Sequence, residues 1–383
     1  MIAKFLLFCV MGLTIDGCVA RVDVGNVTDA SAGGSSASDP SSETLSFGLG
    51  THYKESCALF ADHEVRCWNA REPATFHRVG MFSGAEKFAA TDYGQTCIIT
   101  TGGALQCTSY NTTGFDVAEF TGPLSSVPIP NPVVDVTLSY WGGCALTDEG
   151  RVYCWGKGLP DPCNATHYGA HLPLPQLSTA DIVEVKYPRP VVKVRHQQEH
   201  TCAIVDDGRV FCHGMPGTTD TYSDAYPLTC RGPSEVPDIG DAVDLALAAV
   251  TTCVVRSSGR VTCLGSSELI GLGLESGGFA RGDVPGIKDA VSIEASPLAT
   301  CILTSVGQLK CWGDDQCGSL AASWSCQTTQ VLSYPFTVHP EETFQLVGMT
   351  DDQTCGVTSA GKALCWGVGE KTNAAEPSVY RPY

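Results

Sequence analysis

Apolar and polar residues alternate in short runs along this chain, and the runs recur. In CALTDEGRVYCWG, residues 144–156, apolar positions lie beside each cysteine and a polar turn ending in Gly150 separates them. Alternation of period two interrupted by a turn marks an antiparallel hairpin. With Cys144 facing Cys154, Leu146 and Val152 become cross-strand partners, as do Ile204 and Val210 around Cys202 and Cys212. The register leaves a three-residue loop, Asp148-Glu149-Gly150, whose last position is left-handed and suits glycine.

The same spacing occurs seven times, as Cys57/Cys67, Cys97/Cys107, Cys144/Cys154, Cys202/Cys212, Cys253/Cys263, Cys301/Cys311 and Cys355/Cys365. Glycine fills the turn position in six of the seven units, at Gly103, Gly150, Gly208, Gly259, Gly307 and Gly361; the first has His63, which predicts the most strained turn. A further apolar run precedes each hairpin: Phe47 and Leu49, Val134 and Val136, Val192 and Val194, Val243 and Leu245, Val291 and Ile293, with shifted runs at Phe88 and Ala90 and at Phe344 and Leu346. Proline-bearing stretches such as Ser125 to Pro130 and Val331 to Val338 supply a fourth, outer strand, where proline is tolerated. Small sheets of this kind cannot bury their faces alone, and in a ring they pack face to face. The expected fold class is all-β, a seven-bladed β-propeller over residues 46–383 with a hairpin disulfide in each blade and Pro377 to Tyr383 as the closing strand.

Opposed residues on such a hairpin lie within disulfide reach. Zinc asks for four ligands, commonly from closely spaced pairs, and a thioredoxin-like redox pair for C-x-x-C, so a structural staple is the favoured reading. Of the 20 cysteines, Cys317 and Cys326 lie in one loop and are expected to bridge, while Cys163 and Cys230 follow adjacent hairpins and could join across blades. So many cysteines point to an oxidising compartment. Against 23 basic residues stand 41 acidic ones, a formal charge of −18, which argues against nucleic acid as a partner.

The first residues reinforce export. Lys4 followed by the apolar run Phe5 to Ile15 reads as a signal peptide over residues 1–18, too short to span a membrane. Gly17-Cys18 resembles a bacterial lipoprotein cleavage box, which would make Cys18 the lipidated residue, although Asp16 departs from that pattern; cleavage after Ala20 is the rival reading. Residues 19–45, rich in Gly, Ala, Ser and Asp, read as a disordered linker.

CALTDEGRVYCWG, CAIVDDGRVFCHG, CILTSVGQLKCWG and CGVTSAGKALCWG resemble the repeat of the regulator-of-chromosome-condensation family, as does WGDDQCGSL at Trp312 to Leu320, with Asp315 and Ser319 as departures. The resemblance covers nearly the whole chain after residue 45 and implies seven-bladed propellers. The second cysteine of each unit departs from intracellular members and resembles secreted ones, bacterial cell-surface proteins included. The family spans a guanine-nucleotide exchange factor, a plant light sensor and a bacterial inhibitor of β-lactamases, so it implies a fold far more firmly than an activity.

No catalytic, cofactor or metal residue is carried over. RHQQEH, Arg195 to His200, contains H-x-x-E-H, a zinc-protease signature, but that chemistry needs a helix and the string falls at a strand end and loop. Trp68, Trp155, Trp312 and Trp366 follow the second cysteine and read as packing between sheets. The aspartate pairs at 206–207, 314–315 and 351–352 read as loop charge, and Asn26, Asn111 and Asn164 begin N-x-T sequons. Trp141 and Trp324 break the repeat and lie in expected loops, and with His167, in another such loop, they are the candidate partner-binding residues. Together these features predict a non-catalytic, monomeric module without cofactors, lipid-anchored at an outer membrane or cell surface, otherwise secreted, that binds a protein or surface glycan. Inhibition of a secreted hydrolase is the alternative; exchange activity on a small GTPase and a His196/His200 metal hydrolase rank lower.

Overall fold

A computed structural model describes residues 44–48, 55–60, 62–69, 72–78, 82–90, 96–108, 124–130, 132–139, 142–156, 182–197, 200–214, 232–274, 278–315, 319–321, 330–349, 353–360 and 363–367. All the regular structure among them is strand, apart from a single 3-10 residue at Phe82. Blade 1 comprises β1 (Thr44–Gly48), β2 (Glu55–Phe60), β3 (Val65–Asn69) and β4 (Glu72–Arg78); blade 2, β5 (Ala85–Ala90), β6 (Thr96–Thr100), β7 (Leu105–Thr108) and β8 (Leu124–Ser126). Blade 3 follows with β9 (Val133–Ser139), β10 (Gly142–Thr147), β11 (Val152–Gly156) and β12 (Ile182–Val185), and blade 4 with β13 (Val191–Gln197), β14 (His200–Val205), β15 (Val210–Gly214) and β16 (Ser234–Glu235). Blade 5 has β17 (Ala242–Leu247), β18 (Thr251–Arg256), β19 (Val261–Ser266) and β20 (Phe279–Asp283); blade 6 has β21 (Ala290–Ala295), β22 (Ala299–Thr304), β23 (Leu309–Asp314) and β24 (Val331–Val338). The last repeat forms a three-stranded sheet of β25 (Phe344–Met349), β26 (Gln353–Thr358) and β27 (Ala363–Gly367).

Strand order follows sequence order within every sheet, all neighbours are antiparallel, and the first strand is innermost. The inner strands β1, β5, β9, β13, β17, β21 and β25 lie side by side, and β1 returns to β25, which closes the ring of an all-β propeller. The structure thus holds six four-stranded blades where seven were expected. The last sheet lacks a fourth strand among the described residues, and Pro377 to Tyr383, assigned to that edge, lie outside them.

Hairpin register follows the cysteine spacing. Cys144 pairs with Cys154 and Leu146 with Val152; Cys202 pairs with Cys212 and Ile204 with Val210. Among the described residues, disulfides join 97–107, 144–154, 202–212, 253–263 and 301–311, which staples five blades. Cys57 and Cys355 are also disulfide-bonded, and backbone register sets them opposite Cys67 and Cys365. Cys18, Cys163, Cys230, Cys317 and Cys326 lie outside the described residues.

Five of the glycine turns also tie one blade to the next. The carbonyls of Gly103, Gly150, Gly208, Gly259 and Gly307 accept from the amides of Val133, Val191, Ala242, Ala290 and Phe344, the first residues of the following inner strands. Gly150 has φ of 74°, and a β-carbon there would meet Pro190 Cβ at 2.7 Å, so glycine is required twice over, by conformation and by space. His63 takes the same conformation, φ 62°, and its Nδ1 contacts the Ala85 carbonyl oxygen at 3.0 Å, an interaction glycine could not make.

One sequence expectation inverts. Val134, Val192, Val243 and Val291 pair in the pattern with Val136, Val194, Leu245 and Ile293 as one apolar face, but only the latter are buried. Every inner strand carries an irregularity near its start, as between Val133 and Asp135 or between Val191 and Lys193, and the residue there is left out of the ladder. A bulge shifts the alternation by one residue. The four valines are therefore 40%, 57%, 54% and 56% exposed.

Gly150→Ala is expected to destabilise the propeller by about 2 kcal/mol in denaturant titration of the oxidised protein, while alanine at Gly102, which has ordinary φ and open space, costs little.

Candidate functional site

Three regions concentrate side chains that could act: the seams between blades, the inner strands around the axis, and the face bearing the long connections.

At the seams, each hairpin disulfide faces the next blade and the residue after its second cysteine covers the preceding one. Trp155 packs with Cys97, Cys107 and Ile99 of blade 2; Trp312 with Cys253, Cys263 and Val255 of blade 5; Trp366 with Cys301, Cys311 and Leu303 of blade 6. All three indoles are at most 1% exposed, so they wedge sheets together and offer no sugar platform. The side chain of Trp68 lies outside the described set. The equivalent residues elsewhere are Thr108, His213 and Leu264, all buried.

His213 shares a blade with the histidines of RHQQEH. His196 is the penultimate residue of β13 and His200 opens β14, with His196 paired to Thr201 and Gln197 to His200, so both histidines stand on paired strands rather than on a zinc-binding helix. Burial and the neighbouring His213 and His200 hold His196 down to about 3; burial and His213 hold His200 down to about 4; burial alone does the same for His213. Among the described residues no group of three or more His, Cys, Asp or Glu is placed to hold a metal ion.

The inner strands carry charges that strand patterning alone does not bring together. One position, immediately after the bulge, holds Lys87, Asp135, Lys193 and Asp244 in four successive blades, alternating in sign around the axis. Lys87 Nζ lies 3.3 Å from Asp135 Oδ1, Arg195 Nη1 lies 3.4 Å from Asp135 Oδ2, and Lys193 pairs with Asp244. The Asp244 carboxylate also accepts the amides of Leu245 at 2.7 Å and Ile293 at 3.2 Å, reaching into blade 6. Burial opposes ionisation of Asp135, but Arg195, Lys87 and Lys193 outweigh it and hold the carboxyl below its usual range. Glu294 has the opposite balance: burial pushes it up against the pull of Arg195. The charges are matched across seams, so the ladder joins inner strands and leaves no free cation or anion among the four. The signal was present, since Asp135, Lys193 and Asp244 each stand nine residues before a first cysteine.

On the third region, connections joining third to fourth strands, over 109–123, 157–181, 215–233, 267–278 and 315–330, depart from the ends opposite the glycine turns. Trp141, His167 and Trp324 all lie outside the described residues, in connections that leave from this same face. At the start of the last of these, Asp315 is fully buried and its Oδ1 accepts the Leu320 amide at 2.7 Å, so this departure from the repeat still closes the loop. On the turn face, Asp206 and Asp207 both pair with Arg189, and Arg209 binds Asp207 as well, which makes the two aspartates loop charges.

Residues 133–158, spanning β9 to β11, match the Regulator of chromosome condensation (RCC1) repeat. The chain carries an RCC1 repeat. Its ring is similar to that of Prp20p, a yeast RCC1 from Saccharomyces cerevisiae, at 16% identity over 80% of each chain with a TM-score of 0.60. Human WBSCR16 aligns at 15% identity, 78% of this chain and 80% of that one, TM-score 0.57. The ectodomain of receptor kinase CR4 from Physcomitrella patens aligns at 15% identity, covering 87% and 75%, TM-score 0.51. At these identities the likeness to RCC1-type propellers is one of fold. No curated protein matches the chain by sequence.

Asp244→Ala removes one ion pair and two amide acceptors and is expected to cost about 3 kcal/mol in denaturant titration, with Asp244→Asn costing less because its side-chain oxygen still accepts.

Proposed function

We propose that this RCC1-type propeller is a non-catalytic binding module that engages another protein, or a surface glycan, through the face bearing its long connections. The observation that carries the reading is the contrast between the two faces. One is built from near-identical glycine turns stitched to the next blade; the other receives the connections that vary most in length and sequence. A rigid ring presenting variable loops is the usual arrangement of a recognition surface. The study of Prp20p concerned its binding to Gsp1p and histones, which describes that protein and its partners.

The finer reading is an exported protein tethered by lipid at Cys18 and acting as a monomer at the cell surface. Its support is the signal-like run at Phe5 to Ile15, the Gly17-Cys18 box and the density of staples in the ring.

Capture from source-cell envelopes tests the binding face. Replacing 157–181 and 215–231 by short Gly-Ser connections should reduce recovery of partners at least tenfold, while substitutions at the exposed turn residues Glu149 and Ser258 leave it unchanged; equal recovery from all of these variants refutes the assignment. Acyl-chain labelling tests the anchor: label on the wild type and none on Cys18→Ala is expected, and an unlabelled, freely soluble wild type means simple secretion.

A further inference from the structure

Blade 4 departs from its neighbours at the positions that hold neighbouring blades together. Where blades 3 and 6 and the last, three-stranded sheet place a tryptophan, it has His213, 4% exposed, and neither ring nitrogen has a hydrogen-bond partner. The ring meets Tyr187 edge-on at 6.3 Å, and the Tyr187 hydroxyl is also buried without a partner. His196, Thr201 and His213 are successive cross-strand neighbours. The His196 ring approaches Thr201 Oγ1 at 2.8 Å, and its backbone amide donates to Thr137 Oγ1 of blade 3 at 3.2 Å. His200, 1% exposed, is turned the other way, with Nε2 3.4 Å from Thr252 Oγ1 of blade 5. One blade therefore presents imidazoles to both of its neighbours.

An imidazole in such a site is stable only while neutral. Protonating any of the three would place a charge in an apolar seam, each further proton would add repulsion between like charges, and no carboxylate acts on them among the described residues. Among the described residues, the elements packed around them contribute Thr137, Tyr187, Thr201, Thr251 and Thr252, none of them charged at neutral pH. Of the charged groups on the packed strands, Arg195 is committed to Asp135 and Lys193 to Asp244, and Glu199, in the connection between β13 and β14, lies outside the described residues.

We propose that blade 4 is an acid-releasable element: proton uptake by His196, His200 and His213 loosens its seams with blades 3 and 5, while seams wedged by tryptophan stay shut. The sign follows from where the protons bind. The opened blade exposes ordinary imidazoles, which charge as pH falls below about 6.5, whereas the closed blade keeps them neutral to about 4. Closure is fully favoured above 6.5 and is lost progressively between 6.5 and 4. Each proton taken up on opening multiplies the opening equilibrium by up to about tenfold per pH unit in that window.

Hydrogen exchange of the intact, oxidised full-length chain, corrected for the intrinsic pH dependence of exchange, measures this opening blade by blade. Between pH 7 and 5, opening of 200–214 should rise at least 30-fold and that of 299–314 less than threefold. His213→Trp, which restores the wedge, should cut the rise in blade 4 by tenfold or more; His213→Leu, which copies the residue blade 5 has at this position, Leu264, serves if the indole does not fit. A rise of similar size in every blade overturns the proposal, as does an unchanged pH response in the folded variants. Loss of the response in Glu199→Gln assigns it to that carboxylate and also overturns it.

Discussion

A four-stranded sheet of this size has two apolar faces and no means of covering either, so everything in the molecule depends on how one blade is held to the next. The repeated answer is a hydrogen bond from the first amide of an inner strand to the carbonyl of the preceding hairpin turn. That contact brings the backbones so close that a side chain at the turn would collide with the neighbouring blade. The recurrent glycine is therefore an inter-blade requirement as much as a turn requirement. Where His63 replaces it, a contact with the Ala85 carbonyl takes up part of the difference.

Much of this was legible in the chain. C-x9-C with a glycine before the second strand specified the register, the loop and the staples, because opposed cysteines and a left-handed turn residue leave one way to pair the strands. The packing role of Trp155, Trp312 and Trp366 followed from their repetition. What period-two alternation could not convey was the bulge in each inner strand, since Val134 and Val136 look equivalent until the ladder skips a residue between them. The last blade exceeds the observed sheet for a related reason: hairpin spacing counts repeats, but says nothing about whether each repeat acquires its outer strand.

The candidate functional residues divide in the same way. Trp141 and Trp324 stand out for breaking the repeat and His167 for its place in a long connection, and strand order assigns these connections to one face, but their geometry lies outside the described residues. The charge ladder from Lys87 to Asp244 is hidden in the sequence because each member is ordinary within its own blade and acquires meaning only when residues 48 to 60 positions apart are set side by side. His213 is concealed as a substitution within a pattern, and its importance lies in what it displaces: an apolar wedge whose burial has no dependence on pH.

The staples have a chemical consequence of their own. The paired sulfurs in blades 2 to 6 belong to residues at most 1% exposed, lying beneath the side chains of the following blade. A thiol reductant must approach a disulfide sulfur directly, and none can do so while a seam is closed. Reduction is thus gated by separation of blades rather than by the redox strength of the surroundings. The order in which thiols become reactive would trace the sequence in which the ring comes apart, each staple serving as a clock for the seam that covers it.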